Sequence, residues 1–252
     1  MKRIFVIFFI AILIMNGSSC RSEKIKNTPQ NDTQNDTKNK NYLSDVTVII
    51  DAGHGGEDGG AVGKNGAFEK DINLSVAITL ESMLKEKGYK TLMTRTEDIL
   101  LYDRDQDFQG RKKQLDLEAR INIAEKTENA IFVSIHMNSF SQEKYKGLQV
   151  YYSTNSENSK ALADEIQLNA RLLLDTSNNR VTKPSSKNIL LLEKITRPAV
   201  LVECGFLSNT SECQKLSTPE YQKEVANSIC ISIINYLNSD IQQKKENNTS
   251  SS

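Results

Sequence analysis

The sequence predicts an α/β domain in which a mostly parallel sheet is covered by helices on both faces. Three observations predict it. Short β-branched apolar runs recur between residues 46 and 205, and most are followed by a stretch with helical periodicity. Residues 21–44 and 239–252 are polar and nearly empty of large apolar side chains. Nothing between these segments reads as a linker, so one domain is expected over residues 45–238 of the 252. Strands alternating with helices bury a sheet on both faces and make it largely parallel.

Each element has its own signal. The run VTVIID (46–51) is β-branched and reads as a first strand, followed by the glycine-rich loop AGHGGEDGGAVGKNGA. A helix is expected over 69–87, because Ile72, Val76, Leu80 and Leu84 recur every four positions on one face and Gly88 stops it. YKTLMTR (89–95) is a second strand, LDLEARINIAEKTE (115–128) a helix and AIFVSI (130–135) a third strand. GLQVYYS (147–153) is a fourth strand, followed by a helix over 160–174. NILLLE (188–193) reads either as a strand or as a buried turn of helix. AVLVECG (199–205) is a strand, and PEYQKEVANSICISIINYL (219–237) is the closing helix.

The ends carry other information. Residues 1–20 show a basic start at Lys2 and Arg3, an apolar run from Ile4 to Met15, then small residues and Cys20. That is the anatomy of a secretory signal peptide. The apolar run is too short to span a bilayer, which takes roughly 20 residues. Gly17, Ser18 and Ser19 before Cys20 resemble the lipobox of bacterial lipoproteins, with Gly17 where a leucine is usual. The resemblance implies lipidation of Cys20 and a membrane partner through that anchor, which places the chain in the cell envelope, on the periplasmic side. Residues 21–44 are rich in Asn, Asp, Thr, Lys and Gln and are expected to form a disordered tether; residues 239–252 read as a disordered tail.

Composition excludes one class of partner. The 32 Lys and Arg balance 32 Asp and Glu, so no basic surface for nucleic acid is expected. With Cys20 assigned to lipidation, Cys204, Cys213 and Cys230 remain; their spacing gives neither a cysteine-rich zinc site nor a disulfide framework. One bridge could form among them, with no pairing favoured.

The chain has only two histidines, and each follows an apolar β-branched run: His54 in VIIDAGHGG and His136 in IFVSIHMNS. Ligands of such sheets collect at the carboxyl ends of the strands. Two imidazoles and a carboxylate fit a catalytic zinc site, which uses three protein ligands and keeps one position open. Glu57, Asp58, Glu69 and Asp71 are all candidates for the third ligand. Glu203 interrupts the apolar strand PAVLVECGFLSN. An ionised glutamate is rarely buried unless paired or coordinated. The competing reading is a structural salt bridge to Arg95 or Arg197.

The blocks IIDAGHGGEDGGAVG, FEKDINLSVA, TR (94–95), FVSIHMN and RPAVLVECGFLSN together resemble the zinc-dependent N-acetylmuramoyl-L-alanine amidases of the amidase_3 type, which are bacterial cell-wall hydrolases. The resemblance implies one Zn2+ per chain held by His54, Glu69 and His136, with Glu203 as the catalytic acid/base. It implies a single α/β domain with a mixed, mostly parallel six-stranded sheet. It also implies peptidoglycan as the substrate, cleaved between N-acetylmuramic acid and L-alanine. A protein activator and a monomeric state complete the expected partners. Asn138, Ser208 and Asn209 are candidates to line the cleft, against an equal reading as loop caps.

Two segments depart from the family pattern. ILLYDRDQDFQGRKKQLDL (99–117) is longer and more charged than usual and predicts a surface extension near the cleft. MNSFSQEKYKGLQ, after His136, is too short for the inhibitory helix that some members carry there. Two rival functions remain: a cysteine hydrolase using Cys204 with His136, and a non-catalytic peptidoglycan-binding lipoprotein. The first requires Cys204 to be exposed, although it follows Glu203 and so points to the opposite face.

Overall fold

The computed structural model describes residues 45–249, except 104, 106–108 and 187–188, with the backbone alone over 240–249. In chain order the elements are β1 (Thr47–Ala52), α1 (Glu69–Glu86), β2 (Lys90–Met93), α2 (Lys112–Lys126), β3 (Ala130–Asn138) and β4 (Gln149–Tyr152). They continue with α3 (Asn158–Leu173), β5 (Lys183–Pro184), α4 (Leu190–Lys194), β6 (Ala199–Phe206), α5 (Thr210–Leu216) and α6 (Pro219–Thr249).

The strands form one six-stranded sheet in the order β2-β1-β3-β6-β4-β5. β2, β1, β3 and β6 run parallel, whereas β4 pairs antiparallel with β6. β5 then pairs parallel with β4. The sheet is therefore mixed and mostly parallel, as the sequence resemblance implied.

Alternation along the strands sorts the side chains between two layers. Val48, Ile50, Val133, Ile135, Val200, Val202 and Cys204 face one layer, where they pack with Val76, Leu80, Ile166 and Ile229 of α1, α3 and α6. Ile49, Phe132 and Leu201 face the other, with Ala124 of α2 and Leu191 and Leu192 of α4. The same period-2 rule puts Asp51, Ser134, His136 and Glu203 on the α2/α4 side. That side carries the polar chemistry.

The helical boundaries differ from the sequence reading at informative places. Within NILLLE, Leu190 to Glu193 are helical, the second of its two readings, because α4 begins at Leu190. β5 has two residues, one of them a proline, and so offered no period to read. α5 is too short for periodicity, but Asn209 caps it by accepting from Glu212 N at 3.0 Å. α6 runs on to Thr249 instead of ending near residue 237, so the expected tail is helical in its backbone over 239–249. An existing helix propagates cheaply through Gln, Lys and Glu once its nucleus is packed.

Candidate active site

β1 ends at Ala52, and the chain then turns sharply: His54 has φ 62°, a left-handed conformation uncommon for a residue with a side chain. Two buried arginines hold this turn. Arg95 donates from Nε to the Ala52 carbonyl at 2.8 Å and from Nη2 to the Gly53 carbonyl at 3.0 Å. Arg120 donates from Nη1 to the Ala52 carbonyl and from Nη2 to the His54 carbonyl, both at 2.8 Å. Three successive carbonyls thus face guanidinium donors instead of water. Gly53 allows the close approach of the opposite strand, since a Cβ there would overlap the His136 imidazole.

Arg120 is itself fixed by charge. Its Nη1 lies 2.6 Å from Asp51 Oδ1 and its Nε 2.8 Å from Asp116 Oδ2, with all three side chains nearly or fully buried. Asp51 also accepts from Thr94 Oγ1 at 2.7 Å and Ser134 Oγ at 2.6 Å. Burial pushes the Asp51 carboxyl up, but Arg120 and these hydroxyls outweigh it and hold it below the usual carboxylate range.

The turn delivers His54 to Glu69, the first residue of α1, and to His136 at the end of β3. Glu69 Oε1 is 3.2 Å from His54 Nε2 and 2.9 Å from His136 Nδ1. It also accepts from Met137 N at 3.0 Å, while Oε2 accepts from Ala61 N at 2.8 Å. The three donor atoms all lie within 4.8 Å of one another. Asp58 Oδ2 takes the other nitrogen of His54, Nδ1, at 2.8 Å and sets the ring's orientation. Burial lowers the pKa of His54, yet the bonds to Asp58 and Glu69 prevail and raise it to about 9. Glu69 is likewise raised by burial and, on balance, lowered well below its ordinary value by the two imidazoles.

Of the four acidic candidates, then, Glu69 meets both histidines. Asp58 orients one of them, Glu57 pairs with Lys112 at 2.9 Å, and Asp71 is exposed on α1.

Glu203 stands next to His136 across the parallel β3–β6 pair. Burial raises its pKa to about 7, and its Oε2 is buried with no hydrogen-bond partner. Neither arginine offered by the salt-bridge reading reaches it. Arg95 serves the carbonyls above, and Arg197 donates to the carbonyls of Ala124 and Glu125. His54, His136 and Glu203 open onto one cavity of about 250 Å3, whose apolar wall includes Leu117, Ile189, Leu191 and Leu201.

The remaining candidates separate. Asn138 ends β3 with its carbonyl accepting from Leu207 N, Ser208 Oγ accepts from Phe140 N, and Asn209 caps α5. The cavity lining contains none of the three. Cys204 is 1 % exposed, faces the apolar layer, and burial pushes its thiol far up, so it is not an activated nucleophile. Cys204, Cys213 and Cys230 are all free thiols and buried.

Sequence reasoning missed Arg120, Asp51, Asp116 and Lys113. A signal existed for the first three: Asp116, Arg120 and Ala124 share one buried face of α2, and Asp51 is the penultimate residue of β1, which is buried from Val48 onward. Charges so placed need partners.

Comparison with known proteins agrees with this geometry. The N-acetylmuramoyl-L-alanine amidase family pattern, Amidase_3, matches residues 48–235. The germination-specific N-acetylmuramoyl-L-alanine amidase of Bacillus subtilis is 37% identical over 196 residues, covering 77% of this chain and 81% of that protein. Among solved structures, the CwlD amidase of Clostridioides difficile, in complex with the GerS lipoprotein, aligns with TM-score 0.73 and 39% identity over 77% of this chain and 98% of that one. The amidase AmiC2 of Nostoc punctiforme aligns with TM-score 0.66 and 31% identity, over 77% and 98%. The chain belongs to the N-acetylmuramoyl-L-alanine amidase family of the amidase_3 type and is a cell-wall amide hydrolase.

Proposed function

We propose that His54, Glu69 and His136 hold one zinc ion and that Glu203 moves protons in hydrolysis of the bond between N-acetylmuramic acid and L-alanine. The observation that carries this is the convergence of two imidazoles on one carboxylate oxygen, beside Glu203, whose buried Oε2 has no hydrogen-bond partner. Two histidines and a glutamate are the donor set of a catalytic zinc site, and Asp58 gives His54 the outer partner such ligands need. When bound, zinc would polarise the scissile carbonyl and acidify a water molecule.

The protein's own groups do the rest. With its pKa raised to about 7 by burial, Glu203 is poised to accept a proton from water near neutrality and return it to the departing alanine amine. An apolar wall borders the site, and lower polarity on that side strengthens charge interactions beside it. A non-catalytic binding protein has no use for a buried carboxylate oxygen without a partner, which costs stability.

The signal segment and Cys20 support a lipid-anchored protein of the cell envelope, facing the periplasm. Those residues lie outside the described ones, among which no helix is long and apolar enough to cross a membrane. The structure of the C. difficile amidase in complex with a lipoprotein supports a protein partner for this chain too.

Mass spectrometry of muropeptides released from purified wall, with and without a chelator, tests the reading. Chelator-sensitive release of free stem peptides is expected; stems still joined to muramic acid after digestion would overturn it.

A further inference from the structure

The charged extension at 99–117 leads into α2, whose first turn brings two lysines to the mouth of the cavity. Lys112 Nζ pairs with Glu57 at 2.9 Å and lies 5.7 Å from the Tyr102 ring centroid. Lys113 Nζ is 3.2 Å from Asp58 Oδ2, with its side chain 66% exposed. Lys113 lines the same cavity as His54, His136 and Glu203.

Apart from the two histidines of the reaction centre, Arg120 is the other basic side chain among the described residues of that lining, and it has nothing left to offer a ligand. Its donors go to Asp51, Asp116 and the carbonyls of Ala52 and His54. Asp51 and Asp116 are spent on Arg120 in return. An ammonium has three donors, and the one contact of Lys113 in this cluster is with Asp58. The cavity therefore combines an apolar wall, a reaction centre and one solvent-facing cation at its rim. Its volume is about 250 Å3, a little under the roughly 300–1,000 Å3 of ordinary ligand pockets.

We propose that Lys113 is a specificity-determining residue that pairs with the free α-carboxylate of the second stem residue. This deepens the amidase reading and rests on it. In a stem peptide L-alanine is followed by D-glutamate linked through its side-chain carboxyl. The α-carboxyl is left either free or amidated, a few bonds beyond the cleaved amide. The alanine methyl takes the apolar wall at Leu117, Ile189 and Leu191, and the carboxylate reaches the rim, where Lys113 meets it. An amidated residue presents no charge there.

The test uses the full chain, loaded with zinc, and two muropeptides that differ only in this amidation. The parent prefers the free acid by about five-fold in kcat/KM, the size of one partly exposed ion pair. The preference shrinks as salt rises. Lys113→Ala brings the ratio of the two kcat/KM values to about one, Lys113→Arg keeps a preference, and Lys113→Glu reverses it. Because Lys113 also touches Asp58, both substrates can lose rate in Lys113→Ala; the ratio removes that common effect.

Binding gives an independent readout. In Glu203→Gln, which leaves the substrate whole, the ratio of the two Kd values should show the same preference and lose it with Lys113→Ala. An unchanged ratio in Lys113→Ala, or no preference in the parent, overturns the proposal. Cleavage of neither muropeptide by the parent rejects the amidase reading instead, and the proposal with it.

Discussion

Arg120 donates from Nη2 to the carbonyl oxygen of His54 at 2.8 Å, out of a guanidinium that is 1% exposed. With Arg95 on the neighbouring carbonyls, this bond holds the backbone of His54 in the left-handed region. Such a conformation costs on the order of 1–3 kcal/mol and persists only where the surroundings enforce it. The arginines and their aspartates are the surroundings. They convert a strained turn into an imidazole fixed against Glu69.

Arg120→Met should therefore weaken zinc binding by about 10–100-fold, the usual effect of losing an outer support. It should also destabilise the protein by about 3–5 kcal/mol, because Asp51 is left buried and unpaired. In the parent, Asp51 has a lowered pKa and contributes stability that is lost as pH falls below the ordinary carboxylate range. Without Arg120, burial raises that pKa, so the variant should lose stability as pH rises from about 4 to 7, a loss that Asp51 does not cause in the parent. Denaturant midpoints across that range, with zinc titration, check both statements.

Metal content should follow the ligand set. The parent should carry about one zinc per chain, and His54→Ala or His136→Ala should remove it, since three ligands leave little redundancy. Glu69→Ala should do the same, while Glu57→Ala should keep its zinc because Glu57 pairs with Lys112 away from the imidazoles. Zinc retained in His136→Ala would reject the set.

The raised pKa of Glu203 has a cost that calorimetry can read. A carboxyl moved from 4.5 to about 7 penalises the folded state as pH rises above 4.5, and the penalty is complete above about pH 7. In chelator-treated protein at pH 8, Glu203→Gln should be more stable than the parent by roughly 3 kcal/mol. At pH 4 the two should be nearly equal. A variant no more stable at pH 8 would mean the carboxyl has a partner.

Lipid anchoring is tested in cells. Cys20→Ser should abolish acylation and release the protein from the membrane fraction, and acylation that survives would place the anchor elsewhere.

Much of the fold was legible because its signals are local. β-Branched runs and four-residue apolar spacing locate β1, β3, β6 and α1, and the two histidines mark the sheet edge. The choice of Glu69 over Glu57, Asp58 and Asp71 was not legible from the residues alone and came from family resemblance. It depends on the glycine-rich loop folding back until α1 meets β3, a long-range event. The arginine clamp escaped for the same reason: Arg120 and Asp51 are 69 residues apart and meet only across α2 and β1. α5 and β5 escaped because they are short, and the helical run beyond residue 237 because a polar segment can extend a helix packed elsewhere.

The most direct test of the central claim is Glu203→Gln in the zinc-loaded protein, with turnover of a muropeptide and zinc content measured on the same preparation. Glutamine keeps the size and a hydrogen-bonding oxygen but cannot take a proton near neutrality. The account predicts turnover lower by about 10²–10⁴-fold, the usual contribution of general acid–base catalysis, with zinc still near one per chain. Turnover within a few-fold of the parent, or loss of the zinc, would contradict it.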